Sequence, residues 1–114
     1  MFMIKLVKGV MDLKGFKCKT VLLVNPRENN RAVATAVWHE IPDRGFAELH
    51  FFVVDSKYQK KGIGSSFIKW WANEHLARRR ICYAFCYADD NAIGFYEKNN
   101  YVMIPEPGQP GSEF

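Results

Sequence analysis

"YQKKGIGSSFIKWWANEHLA", Tyr58–Ala77, is the stretch on which the fold turns. It begins polar, passes through a Gly-x-Gly turn at Gly62 and Gly64, and then changes period. Ile63, Phe67, Trp70 and Trp71, and less regularly Leu76 and Ala77, form an apolar helical stripe to about residue 79. Just upstream, "FAELHFFVV" (46–54) reads as a strand. A strand–turn–helix junction leaves the first helical N–H groups without partners and points the positive end of the helix dipole outward, which favours anions. Glycines let backbone approach a ligand without Cβ interference, and Lys57, Lys60 and Lys61 add charge beside them. Pyrophosphate is the natural guest. Taken alone, a tight connection with no ligand explains the turn equally well. It is not a Walker loop, since no GK[ST] follows, and "GIGSSF" lacks the third glycine of a dinucleotide fingerprint.

Working outward, "FMIKLVK" (2–8), "KTVLLVN" (19–25) and "RAVATAVWHEI" (31–41) read as three further strands ahead of 46–54. Pro26 with "RENNR", and the turn Pro42–Asp43–Arg44–Gly45, close two of them. Links this short favour an antiparallel meander. Beyond the helix, "ICYAFCYA" (81–88) returns to strand character. "DDNAIGFYEKNN" (89–100) reads as a second helix, with Asp89 or Asp90 as N-cap and Ile93, Phe95 and Tyr96 as apolar positions. "YVMI" (101–104) reads as a last short strand. The expectation is one α/β layer structure around a mixed sheet, a single domain over 1–105. The Pro- and Gly-rich segment 106–114 reads as a flexible tail whose "GSEF" resembles a cloning remnant.

The 114 residues suffice for one domain, and 48% hydrophobic composition argues against disorder. No apolar run reaches membrane-spanning length. "MFMIKLVKGV" is too short and too quickly charged for a signal peptide, so a cytoplasmic location is expected. Cys18, Cys82 and Cys86 show no CxxC spacing. Cys82 and Cys86, four apart on an expected strand, would lie roughly 13 Å apart, too far for a disulfide or a shared metal site. The net charge is +4, but Arg78, Arg79 and Arg80 suit a helix C-terminus and no nucleic-acid motif is recognised. Nucleic acid is therefore not the expected partner.

Glu48 lies between Ala47 and Leu49, where burial would raise its pKa toward that of a useful base; by pattern alone it is an outward-facing strand carboxylate. His50, two residues on, would share its face in an unbroken strand. His39 and His75 show no convergent partner, and no His/Cys/carboxylate cluster has ligand spacing, so no metal is expected.

Two separately spaced motifs carry a family resemblance. "QKKGIG" (59–64) fits the Q/R-x-x-G-x-G/A acyl-CoA signature, and "NAIGFYEKNNY" (91–101) is similar to N-x-x-A-x-x-[FY]-Y-x-x-x-G-[FY]. Over roughly Phe46–Met103 the sequence resembles the GNAT superfamily of acetyl-CoA-dependent N-acetyltransferases. "FAELHFFVV" and "YADDNAIGFYEKNNY" look closest to its histone acetyltransferase branch. The resemblance implies a GNAT-like mixed, mostly antiparallel sheet with flanking helices. That sheet is shortened before residue 46, with no obvious counterpart of the final strand. An edge left open in this way could be covered by a second copy, giving a homodimer.

The resemblance also implies site residues. Acetyl-CoA would be the co-substrate, without metal. Phe52, Val53 and Val54 would hold its pantetheine arm through backbone groups, where the strand splays from its neighbour. Gln59, Lys60, Lys61, Gly62, Ile63, Gly64 and Ser65 would hold the pyrophosphate. Asn91 would cap or orient the second helix and touch the cofactor. Glu48 matches the family's base, and Tyr96 the tyrosine that contacts the cofactor and protonates the leaving thiolate. Asn100 replaces a usual glycine, implying a left-handed turn through asparagine. The acceptor would be a protein lysine or a small amine, with a nuclear location if histones are acetylated. The alternative is a non-catalytic CoA-binding module or a subunit of an obligate assembly.

Overall fold

The structure is a computed structural model and describes residues 5–104. Strands β1 (Lys5–Leu13), β2 (Phe16–Asn25), β3 (Arg31–Ile41) and β4 (Phe46–Val54) form an antiparallel meander, and β5 (Tyr83–Cys86) adds in parallel to β4. The order is β1-β2-β3-β4-β5. The bounds of β3 and β4 are those the sequence predicts. Residues 2–4 of the expected first strand lie outside the described residues, as does the expected tail at 106–114.

The antiparallel pairing of β1 with β2 is as expected, but both strands run on through 9–13 and 16–18 into a tight hairpin that the sequence does not predict. It turns through Lys14 and Gly15, both left-handed at φ 52° and 81°, which matches the twist of a two-residue hairpin. Strand pairing thus runs through a segment that the sequence reads as loop. "YVMI" is a second correction: 101–104 is not a strand. Val102 and Ile104 are exposed, and among the described residues 101–104 does not pair with the outer edge of β5.

Helix α1 (Ile63–Trp70) continues through a π turn at Trp71–Leu76. Phe67, Trp71 and Leu76 are buried. The step from Trp71 to Leu76 is five residues, one more than an α-helix accommodates on one face. A turn with i→i+5 hydrogen bonds absorbs the extra residue. Helix α2 (Ile93–Lys98) is short and packs Phe95 against Phe52 and Tyr96 against Tyr101.

Both helices pack on one face of the sheet. Its core holds Val21, Ala36, Trp38, Ala47 and Leu49, with Trp38 meeting Trp71 edge-to-face at 5.9 Å. On the opposite face Met11, Phe16, Leu22, Phe51, Val53 and Phe85 stay exposed.

Candidate active site

In β4 the register against β3 slips between Val37↔Phe51 and Trp38↔Leu49, so His50 is an extra residue, a β-bulge. The bulge reverses alternation. Ala47 and Leu49 face the helices before it, and Phe52 and Val54 pack on the same core after it. Glu48 and His50 are brought together on the helix-free side, with Oε2 of Glu48 3.6 Å from Nδ1 of His50. The strand is not unbroken, but the expected juxtaposition holds. The His50 ring stacks on His39 at 6.5 Å, and His39 lies 4.6 Å from the Phe16 ring. Nε2 of His50 is buried without a hydrogen-bond partner among the described residues. Glu48 keeps 26% of its side-chain surface exposed.

Parallel pairing of β4 with β5 runs only from Phe46↔Tyr83 to Leu49↔Cys86. From His50 onward β4 has no ladder partner on that side among the described residues, because β5 itself ends at Cys86. Phe52, Val53 and Val54 lie in this unladdered stretch. The Phe52 ring stacks on Phe67 at 4.8 Å and 24°, fixing this region of β4 on α1. The Val54 carbonyl accepts a hydrogen bond from Nε2 of Gln59 at 2.9 Å, which ties the strand end to the loop before α1.

That loop is held from below. The Asn25 side chain donates to the Tyr58 hydroxyl at 3.2 Å, and Tyr58, buried itself, hydrogen-bonds Glu28. Lys57 adds an ion pair to Glu28 at 3.0 Å. The Tyr58 hydroxyl and then Lys57 hold the Glu28 carboxyl below its ordinary range. Above this anchor Lys60 and Gly62 are left-handed, at φ 62° and 80°. Alternating left-handed residues turn successive N–H groups toward one concavity. Gly62 is the N-cap of α1 and no side chain caps the helix. A Cβ on Gly62 would meet nothing within 4 Å, whereas one on Gly64 would stand 3.0 Å from Phe95. The two glycines therefore serve different ends: Gly62 the turn conformation, Gly64 the close packing of α2. Ile63, Gly64 and Ser65 carry the first N–H groups of α1, which no preceding helical turn satisfies. The Ser65 hydroxyl accepts from Asn99 at 3.2 Å, which positions it and leaves its O–H, with its backbone N–H, to donate to an anion.

Tyr96 sits beside Cys86, at the end of β5. Its hydroxyl pairs with the Cys86 thiol, and burial followed by that neighbour pushes the phenol well above its ordinary value. Burial also raises the Cys86 thiol. Tyr101, half-buried beside them, is pushed up to about 12 by burial and then by Cys86. Asn91 is exposed, and the N-cap of α2 is Ala92, without a side-chain cap, rather than the expected Asp89 or Asp90. Asp89 Oδ1 accepts from Ala92 N–H at 3.0 Å in the turn ahead of the helix. Cys82 lies ahead of β5 and is exposed, so it does not share a strand with Cys86 as expected. Asn100 has φ 70°, the left-handed turn expected of it.

The Acetyltransferase (GNAT) family model matches residues 12–101. The chain belongs to the GNAT acetyltransferase family. Among solved structures it is similar to GCN5 of Tetrahymena, with a TM-score of 0.66 and 21% identity over 78% of this chain and 56% of that one. It is similar also to the aminoglycoside acetyltransferase meta-AAC0020 from an uncultured soil metagenomic sample, with a TM-score of 0.65 and 19% identity over 78% of this chain and 60% of that one. At such identities the likeness is one of fold. This GNAT chain spans less than two thirds of the length of either.

Sequence reasoning missed one cluster. Glu40, whose side chain is 4% exposed, receives hydrogen bonds from Trp38 Nε1 at 2.8 Å, His75 Nε2 at 2.8 Å, Lys19 at 3.2 Å and also Arg79. Burial pushes its carboxyl up, but these four bonds outweigh burial and hold it down to about 2. His75 thus has a partner after all, and Arg79 closes an ion pair beyond any dipole role. Their separations of 35 and 39 residues carry no local signal. Among the described residues no group of three metal-binding side chains assembles, and no helix is long and apolar enough to cross a membrane.

Proposed function

We propose that the chain is an N-acetyltransferase that moves acetyl from acetyl-CoA to a primary amine by direct attack. The observation that carries this reading is the end of β4–β5 pairing at Leu49, one residue beyond Glu48, which leaves Phe52, Val53 and Val54 unladdered on that side and leads on to the uncapped N-terminus of α1. A phosphorylated thioester has an anion seat at one end and a carboxylate at the other.

In this reading backbone N–H groups of Gln59, Lys60, Lys61, Gly62, Ile63, Gly64 and Ser65 take the pyrophosphate, and backbone groups of Phe52 and Val53 the pantetheine arm. The Val54 carbonyl becomes available when Gln59 turns away. Asn91 lies near the same opening. Acetyl-CoA supplies the acetyl group as a thioester. The acceptor is held as an ammonium ion at neutral pH, since such amines have a pKa of about 10.4. Glu48 first takes one proton from that ammonium, freeing the nitrogen lone pair to attack the thioester carbonyl. As the C–N bond forms and the C–S bond breaks, the nitrogen sheds its second proton, which goes to the departing thiolate. Side-by-side binding of the two reactants provides much of the acceleration. Tyr96 stays protonated and can donate a hydrogen bond to the departing sulfur.

The acceptor approaches Glu48 from the helix-free face. Glu40, an acidic candidate for that groove, is on the other face and saturated by its own partners. With rings of Phe16, His39 and His50 around Glu48, a small amine suits the face better than a strongly basic protein tail. A thiol-release assay with acetyl-CoA and a panel of small amines and lysine peptides tests this. Release with a small amine, abolished by Glu48→Gln, supports it; no release with any acceptor contradicts it.

A second reading has its own observation. Among the described residues, nothing covers the helix-free face or the outer edge of β5. In that reading the chain works within an assembly, with a second copy as the simplest partner. Light scattering decides between them: a monomer active in the thiol-release assay contradicts the assembly.

A further inference from the structure

Beyond the acetyl-transfer site, a cavity of about 370 Å³ opens on the helix side of the sheet. Lys8 and Val10 of β1, Lys19 of β2 and Trp38 of β3 form one wall; Trp70 and His75 form the other. Lys19 and Trp38 are cross-strand partners on the face opposite Glu48, so the sheet separates this cavity from the candidate active site.

The π turn builds the second wall. Bonding of the i→i+5 type brings residues five apart to one side of the helix, and such turns recur at functional positions. Trp70 and His75 are such a pair, with ring centroids 5.6 Å apart and tilted at 34°. Trp38 closes the group edge-on to His75 at 5.3 Å. His75 is fixed through Glu40, which also fixes Lys19 at 3.2 Å. The buried carboxylate of Glu40 thus holds Trp38 and His75 directly, and Trp70 packs on His75 beside them.

The charge of the space is one-sided. Its lining contains two lysines and no carboxylate. Glu40 behind it is matched by both Lys19 and Arg79, and Lys8 has no ion-pair partner among the described residues. The volume lies at the small end for ligand pockets, roughly 300–1,000 Å³, which limits a guest to one or two rings.

We propose that this cavity binds a small aromatic anion, its ring against Trp70 and Trp38 and its anionic end at Lys8 and Lys19. The test is titration of phenylacetate into the ¹⁵N-labelled chain, following the indole N–H signals of its three tryptophans by NMR, with Trp70→Phe to assign Trp70. Acetate and benzyl alcohol serve as probes of charge alone and ring alone. The expected result is a saturable shift, largest at Trp70, with both control probes at least about tenfold weaker. Lys8→Gln should weaken phenylacetate and leave benzyl alcohol unchanged, while Lys5→Gln, on the other face of β1, should change neither. Absence of a saturable shift, equal binding of benzyl alcohol, or indifference to Lys8→Gln would overturn the proposal.

Discussion

The carboxylate of Glu48 lies 3.6 Å from Nδ1 of His50, across the bulge that makes His50 the extra residue of β4. Pairing of β4 with β5 ends one residue earlier, at Leu49. The carboxylate and the unladdered stretch of β4 are therefore neighbours in one strand. If Glu48 is the base, Glu48→Gln should lower kcat by about 100-fold or more, the range for loss of a positioned base. The KM for acetyl-CoA should barely move, because the proposed anion seat lies at the other end of the opening. Steady-state kinetics with both substrates varied makes the comparison.

Tyr96 should matter much less. Its hydroxyl is shared with Cys86, and burial makes it a weaker acid than a free phenol. A weaker acid gives up its proton to a thiolate less readily. Tyr96→Phe should therefore lower kcat by less than about tenfold, the effect of one lost hydrogen bond. A loss equal to that of Glu48→Gln, measured in the same thiol-release assay, would make Tyr96 the obligatory proton donor.

Gly62→Ala isolates backbone strain. The added Cβ meets no atom within 4 Å, yet φ is 80°. The left-handed conformation should cost about 1 kcal/mol. A urea denaturation curve should show that loss as a lower midpoint with an unchanged slope.

Glu40 gives the fold a pH dependence with a definite sign. Its folded pKa of about 2 is depressed from 4.5. Its contribution is complete above about 4.5 and is lost as pH falls toward 2. Glu40→Gln should destabilise the chain by about 3 kcal/mol at neutral pH, since it leaves Lys19 and Arg79 without their counter-charge. The gap between variant and wild type should narrow as the medium is acidified through that window. Urea curves at several pH values test it.

Much of this architecture is written locally. Alternation in 31–41 and 46–54, closed by Pro42–Gly45, specifies two strands to the residue. Gly62 is legible because a helix that starts from a left-handed residue favours glycine. The slip from four to five between Phe67, Trp71 and Leu76 is also in the sequence, where it reads as irregularity and becomes a π turn. The Lys14–Gly15 hairpin is less visible, since lysine is not among the residues favoured for left-handed turns. The bulge at His50 and the hub at Glu40 could not be read at all. The first is a mismatch of register between two strands, and the second joins residues from β2, β3 and the helix; both exist only once the sheet is assembled.

The central claim is that the α1 turn and the opening beside β4 receive acetyl-CoA. Calorimetric titration of acetyl-CoA into wild type and Gly62→Glu tests it most directly, because the substitution puts bulk and negative charge into the anion seat and leaves Glu48 in place. Saturable binding to wild type that disappears in a folded variant is the predicted result. No binding by folded wild type, or equal binding by the variant, would contradict the claim.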